Sequence, residues 1–211
     1  MFKNRTIEAA FPSGIWQQEV EDAEALNAEL RRHIAAIPNK IWIENVWQSE
    51  DTLHERPEFS RFCGLAIAAC HDVLKFLKME YEDVVLTGCW ANMYRKSGVG
   101  PHHTHPNNYL SGVYYVAVPE GAGNIEFADP RVQAGVIMPR TRKWNKFTGN
   151  KVAVPVMPGR MVIFPAWLSH SVPANVSAEE RVSISFNIML TRYTETMSAT
   201  LWKSGSAPLR D

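Results

Sequence analysis

The sequence lacks an excess of charge of either sign, because 22 Lys and Arg residues balance 22 Asp and Glu residues. It therefore offers no global electrostatic field for nucleic acid or for an acidic membrane, although one well-placed arginine suffices to bind a small anion. No apolar run is long enough to span a bilayer, and no signal-like apolar segment follows the first residues. These absences predict a protein with no nucleic-acid partner and no membrane partner.

Cysteine is scarce, and repeats and low-complexity segments are missing. Cys63, Cys70 and Cys89 are odd in number and form no C-x-x-C pair, which predicts reduced thiols and a cytoplasmic location. The 211 residues are enough for one well-buried core and too few for two ordinary domains. We therefore predict a single domain over residues 1–211. Its aromatic-rich N-terminal half offers surface for a homodimer.

The hydrophobic pattern changes character near residue 80. Before it, residues 22–37 and 57–79 carry apolar residues at helical spacing, and residues 41–47 alternate like a short strand. After it, the chain reads as strands separated by Gly and Pro, at 84–94, 109–118, 124–128, 151–156, 160–164 and 181–191. This pattern predicts a mainly β protein of the α+β class. Its core is a jelly roll (a double-stranded β-helix) over residues 81–195, supported by N-terminal helices over residues 1–80.

One long segment, residues 133–150, interrupts the strands. It is polar, basic and aromatic, and it contains Arg140, Arg142, Lys143 and Trp144. Long loops of this kind are often lids or binding loops, and an ordinary disordered and solvated loop is the alternative.

Three of the chain's seven histidines cluster at positions 102, 103 and 105, directly before the apolar β-rich run 110–116. On an extended segment, residues i and i+2 point to the same face, so His103 and His105 aim at one point while His102 points away. His170 follows a turn, an apolar strand and a tight corner, which places it at the start of a later strand. Three such ligands form a facial set with open positions, which suits an iron that activates O2.

Arg181 opens a predicted strand eleven positions after His170. Arg181 and Ser183 share one face of that strand, and an inward arginine beside a metal site needs an anion that its guanidinium fork can bind. The far carboxylate of a dicarboxylate such as 2-oxoglutarate meets this need. Tyr115 is a further candidate for the same carboxylate. For Asn92 the sequence favours core packing, with a place facing the pocket as the alternative. For Trp167 it favours packing over stacking on a substrate.

Four segments of the chain resemble a group of 2-oxoglutarate/Fe(II)-dependent oxygenases in the prolyl hydroxylase-like superfamily. The segments are HTHPNNYLSGVYYV (103–116), GNIEFADPR (123–131), FPAWLSHSVP (164–173) and RVSISFN (181–187). The resemblance implies a double-stranded β-helix, iron at His103 and His170, and 2-oxoglutarate at Arg181, with Tyr115 where a co-substrate tyrosine sits. It also implies that 2-oxoglutarate is oxidatively decarboxylated to succinate while O2 hydroxylates a substrate C–H bond.

The third metal ligand departs from the superfamily pattern. The wider superfamily has H-x-D or H-x-E, whereas this chain has His105 at the second position. His105 is our predicted ligand, and Asp129 or Glu126 is the alternative. The predicted function is an Fe(II)- and 2-oxoglutarate-dependent dioxygenase (an oxidoreductase) that acts on a small molecule or a protein side chain. Two alternatives are a cupin-like three-histidine dioxygenase without 2-oxoglutarate and a non-catalytic metal- or ligand-binding β module.

Overall fold

A computed structural model describes residues 3–193 and shows a jelly roll supported by two helices. The helices are α1 (Ala23–Ala36) and α2 (Ser60–Phe76). The strands are β1 (Trp16–Glu19), β2 (Val46–Gln48), β3 (Val84–Tyr94), β4 (Gly100–His103), β5 (Leu110–Ala117), β6 (Ile125–Ala128), β7 (Lys151–Val154), β8 (Arg160–Pro165), β9 (His170–Val172) and β10 (Arg181–Leu190). The last two residues of the predicted 81–195 core lie outside the described residues.

The strands form two antiparallel sheets, as a jelly roll requires. The larger sheet has the order β1-β8-β5-β10-β3-β2, and the smaller has the order β4-β9-β6-β7. Strand β10 lies between β5 and β3, so Arg181 pairs with Tyr94 on one side while Ser183 pairs with Tyr115 on the other. The predicted fold class is confirmed.

The larger sheet is covered on both faces. One apolar core packs α1 and α2 against its outer face, with Leu30, Phe62 and Tyr114 among the buried residues. A second core fills the space between the two sheets, where Tyr115 and Phe164 are buried. Because both faces are covered, all eight residues of β5 are buried. The helices therefore fix the larger sheet as the rigid wall of the jelly roll.

Several details differ from the sequence prediction. The second helix begins as a 3₁₀ turn at Pro57–Phe59, and the strand predicted over residues 41–47 is confined to Val46–Gln48. Strand β1 was not predicted, because its WQQE sequence has little strand propensity and becomes a strand only by pairing with β8. Among residues 3–193, no helix has both the length and the apolar character needed to cross a membrane.

Candidate metal centre and active site

The three predicted histidines meet at one end of the smaller sheet. His103 is the last residue of β4, His170 is the first residue of β9, and the two are partners in the register between these strands. His105 lies two residues beyond β4, where its backbone N–H donates to the carbonyl of Ala166 at 2.9 Å. Strand pairing thus brings together side chains that are distant in the sequence.

The imidazole nitrogens are close enough to share one ion. The Nε2 atoms of His105 and His170 lie 3.4 Å apart, and one ligand nitrogen from each of the three histidines falls within 4.8 Å of the others. The ring centres of His103 and His170 are 4.3 Å apart. Within residues 3–193, this is the one group of three or more His, Cys, Asp or Glu residues with metal-binding geometry.

Two backbone carbonyls fix the orientation of the rings. Nδ1–H of His170 donates to the carbonyl of Leu168 at 3.0 Å, and Nδ1–H of His103 donates to the carbonyl of Pro101 at 2.8 Å. A carbonyl can only accept, so the proton must lie on Nδ1 and the lone pair on Nε2. Protein metal sites commonly orient histidine ligands by this kind of hydrogen bond.

His105 and His170 are held in the neutral form that metal binding needs. Burial is the main cause that lowers the pKa of His105 and that of His170 to about 4, and the nearby His103 contributes to both shifts, although the hydrogen bond to Leu168 opposes the shift of His170. Neutral imidazoles bind a divalent cation without first releasing a proton at neutral pH.

The alternative carboxylates are engaged elsewhere. Asp129 accepts hydrogen bonds from Arg131, with Nη2 at 2.7 Å from Oδ2, and this contact holds the pKa of the Asp129 carboxyl below its usual range. Glu126 pairs with Lys151 Nζ at 2.9 Å. Neither carboxylate belongs to the histidine group.

A cavity of about 400 Å³ connects the histidines to Arg181, Ser183 and Tyr115. Arg181 is 1% exposed and Tyr115 is fully buried. Among the described residues, neither Nε nor Nη1 of Arg181 nor the hydroxyl of Tyr115 has a hydrogen-bond partner. A buried guanidinium without a partner is unfavourable by several kcal/mol, on the order of the cost of desolvating an ion, so this end of the cavity is built for an anion.

Sequence reasoning missed part of the cavity wall. Asn92 is buried, lines the cavity and donates from Nδ2 to Ser185 Oγ at 3.0 Å, so the pocket-facing alternative holds for this residue. Trp90 contacts His105, with ring centres 5.6 Å apart. The period-2 alternation of Trp90, Asn92 and Tyr94 was the available signal, because these residues share one face of β3. Trp167, also expected to pack, is 58% exposed at the corner before His170.

Comparison with known protein families identifies a family that contains this arrangement of residues. Residues 88–187, which contain all three histidines, Tyr115, Arg181 and Ser183, match the family described as "Putative 2OG-Fe(II) oxygenase". Residues 88–187 form the core of an Fe(II)- and 2-oxoglutarate-dependent oxygenase. Its cofactors are therefore Fe(II) and 2-oxoglutarate, and the enzyme is an oxidoreductase. No curated protein sequence matches this oxygenase significantly.

Solved structures resemble the oxygenase over most of its length. The epimerase SnoN from nogalamycin biosynthesis, in complex with Fe3+, alpha-ketoglutarate and nogalamycin RO, is 17% identical, with 94% of this chain and 92% of SnoN covered and a TM-score of 0.63. HygX from Streptomyces hygroscopicus, with nickel and 2-oxoglutarate bound, is 13% identical, with 93% and 90% covered and a TM-score of 0.60. A prolyl-4-hydroxylase from Pseudomonas putida is 18% identical, with 84% and 93% covered and a TM-score of 0.56. At these identities the likeness shows the jelly-roll fold.

Proposed function

We propose that His103, His105 and His170 hold the Fe(II) of this oxygenase, and that the enzyme hydroxylates a C–H bond of its substrate. The convergence of the three rings, the neutral state of His105 and His170, and the Nδ1–H hydrogen bonds that turn Nε2 of His103 and His170 toward the cluster support this ligand set. These three histidines would hold the iron, and the iron would supply the activation of O2.

The second part of the proposal is that Arg181, Tyr115 and Ser183 bind the far carboxylate of 2-oxoglutarate. The observation that carries it is the pair of unpartnered nitrogens on a buried arginine, in the same cavity as the histidines. A guanidinium binds a carboxylate through two parallel hydrogen bonds, and the Tyr115 hydroxyl adds a third donor. Held there, the far carboxylate would lie in the same cavity that the histidines line.

The overall reaction balances as substrate C–H, O2 and 2-oxoglutarate going to substrate C–OH, succinate and CO2. One oxygen atom enters the substrate and the other enters succinate. Apolar residues of the cavity wall, including Val113, Ile125 and Phe164, exclude water from the reacting atoms. A small molecule and a protein side chain both remain candidates for the substrate.

Three wider expectations stay predictions: one domain over residues 1–211, a homodimer and a cytoplasmic location. The location is supported by Cys63, Cys70 and Cys89, which are all buried and free of disulfide bonds.

The proposal is tested by adding Fe(II) and then 2-oxoglutarate to the apo protein without oxygen, while visible absorption is recorded. We expect a charge-transfer band that needs both additions. His170→Ala should bind no iron and show no band, whereas His54→Ala, a histidine outside the cavity, should behave like the wild type.

Two results would contradict the proposal. Stoichiometric binding of iron by His170→Ala would refute the assignment of the three histidines as the iron ligands. Tight iron binding without a band on addition of 2-oxoglutarate would leave a cupin-like dioxygenase that does not use 2-oxoglutarate.

A further inference from the structure

The segment that joins β6 to β7, residues 129–150 (hereafter the basic loop), has no role in the function proposed above. Apart from a 3₁₀ turn at Val132–Gly135, it is irregular. Most connections in compact domains are about 4–6 residues long, and much longer ones are usually functional or disordered. The backbone N–H of Asp129 donates to the carbonyl of Asn150 at 2.8 Å, which closes the loop at its base.

The basic loop starts beside the histidines. Phe127, two residues before it, is the register partner of His170, and the backbone N–H of Ala128 donates to the carbonyl of Ser169 at 2.9 Å. The chain turns a corner between β8 and β9. There the carbonyl of Ala166, one residue before the exposed Trp167, accepts a hydrogen bond from the backbone N–H of His105. Trp167 therefore lies on a corner tied to His105 on one side and to the start of the basic loop on the other.

The loop carries strong positive charge within a neutral protein. Between residues 129 and 150 the one acidic residue, Asp129, is already paired with Arg131. Four more cations follow, and none forms an ion pair with a carboxylate in the described part of the chain: Arg140, Arg142, Lys143 and Lys146. Since the chain as a whole has no net charge, this local excess favours an anionic partner at this one place.

The loop also exposes large apolar side chains beside these cations. Val132, Val136 and Ile137 are each about 80% exposed, and Trp144 is 57% exposed. Several of the loop's apolar residues line a cavity of about 430 Å³ that shares no residue with the histidine cavity. Such clustered exposed apolar surface marks an interaction site in a soluble protein.

We propose that the basic loop and Trp167 form the docking surface for an acidic protein segment that carries apolar residues, and that the segment's reacting side chain enters the histidine cavity. This inference rests on the proposed function and selects a protein substrate. Arginine, tryptophan and methionine are enriched in protein interfaces. The exposed aliphatic side chains of the loop argue against a nucleic-acid partner, because proteins bind single-stranded nucleic acid by stacking its bases on aromatic side chains. A small anion needs an enclosed pocket with converging polar groups, whereas these cations are exposed and spread along the loop.

The test measures binding of a labelled random copolymer of glutamate and tyrosine to the full chain loaded with Fe(II) and 2-oxoglutarate without oxygen. We expect saturable binding that weakens as salt is added. The double variant R140E/R142E should bind at least about tenfold more weakly, because it reverses two of the attractive charges. Trp144→Ala and Trp167→Ala should each weaken binding several-fold. The matched control is R31E/R32E, which makes the same change in net charge on exposed positions of α1 and should bind like the wild type.

The charge-transfer band, recorded on the same samples, separates this inference from the proposed function. R140E/R142E should keep the band while it loses the copolymer. Absence of the band in the wild type would refute the proposed cofactor site, and copolymer binding would still decide the role of the loop.

Three results would overturn the docking proposal. They are no binding of the copolymer to the wild type, equal binding to R140E/R142E, and tighter loop-dependent binding of single-stranded DNA than of the copolymer. The last result would reassign the surface to nucleic acid.

Discussion

The guanidinium carbon of Arg181 lies 5.1 Å from the centre of the Tyr115 ring, and Nε and Nη1 of Arg181 and the hydroxyl of Tyr115 are buried without hydrogen-bond partners among the described residues. Two strands hold them in this position, because Tyr115 on β5 is in register with Ser183, two residues after Arg181 on β10. The arrangement is therefore preorganised for a carboxylate before any ligand arrives.

Arg181→Lys should weaken 2-oxoglutarate binding by at least about tenfold while iron binding stays unchanged. Lysine keeps the charge but loses the planar fork, and one hydrogen bond to a charged group contributes about 1.5–3 kcal/mol. The measurement is a 2-oxoglutarate titration of the iron-loaded protein, followed by its charge-transfer band. Arg31→Lys on the exposed face of α1 is the control, and an unchanged affinity in Arg181→Lys would place the carboxylate elsewhere.

Tyr115 should stay protonated well above the pH at which tyrosine ordinarily ionises. Burial raises its pKa from 10.0 to about 12, although the nearby Arg181 opposes the shift. Because the unfolded state releases this proton first, the free energy of unfolding should fall as pH rises from about 10 to about 12. In Tyr115→Phe this component of the fall should disappear.

Urea unfolding at a series of alkaline pH values, on wild type and Tyr115→Phe, checks this expectation. The ultraviolet absorbance of phenolate gives a second reading, since the folded forms of the two proteins should titrate alike near pH 10. A smaller phenolate signal in folded Tyr115→Phe at that pH would show that the wild-type phenol ionises normally.

His105→Ala should lower iron affinity by at least about tenfold, whereas Asp129→Asn should leave it unchanged. His105 contributes a ligand nitrogen to the cluster, while the Asp129 carboxylate is held by Arg131. Equilibrium dialysis with Fe(II) under anaerobic conditions measures both. His105→Asp, which restores the carboxylate of the wider superfamily, should keep its iron. Loss of iron in Asp129→Asn would reverse this assignment.

Gly112→Ala should destabilise the fold by about 1–3 kcal/mol through overpacking. A Cβ at Gly112 would lie 2.2 Å from Cζ of Phe186, its register partner on β10, and that ring is fully buried against Phe62. Gly64→Ala is the matched control. Gly64 lies on α2 with no atom within 4 Å of the added methyl group, so alanine there should stabilise the protein by up to about 1 kcal/mol. Urea midpoints of the two variants should therefore move in opposite directions.

Local sequence determined the elements and much of the chemistry. The apolar spacing in residues 22–37 and 57–79 predicted both helices, and strand alternation predicted that His103 and His105, and likewise Arg181 and Ser183, share a face. Period and propensity act over a few residues, so they can be read from the sequence. The family resemblance added the cofactors, which residue spacing alone left open between several metal-binding functions.

Tertiary structure decided what depends on pairing between distant strands. The β4–β9 register places His170 opposite His103, and the β3–β10 register turns Asn92 and Trp90 toward the cavity. In the folded chain Asp129 pairs with Arg131 away from the histidines, and Trp167 lies exposed at the corner before His170. Strand β1 forms only because it pairs with β8 at the edge of the larger sheet. A register is a relation between two segments, and each segment's own pattern is compatible with several partners, so only the folded chain selects one.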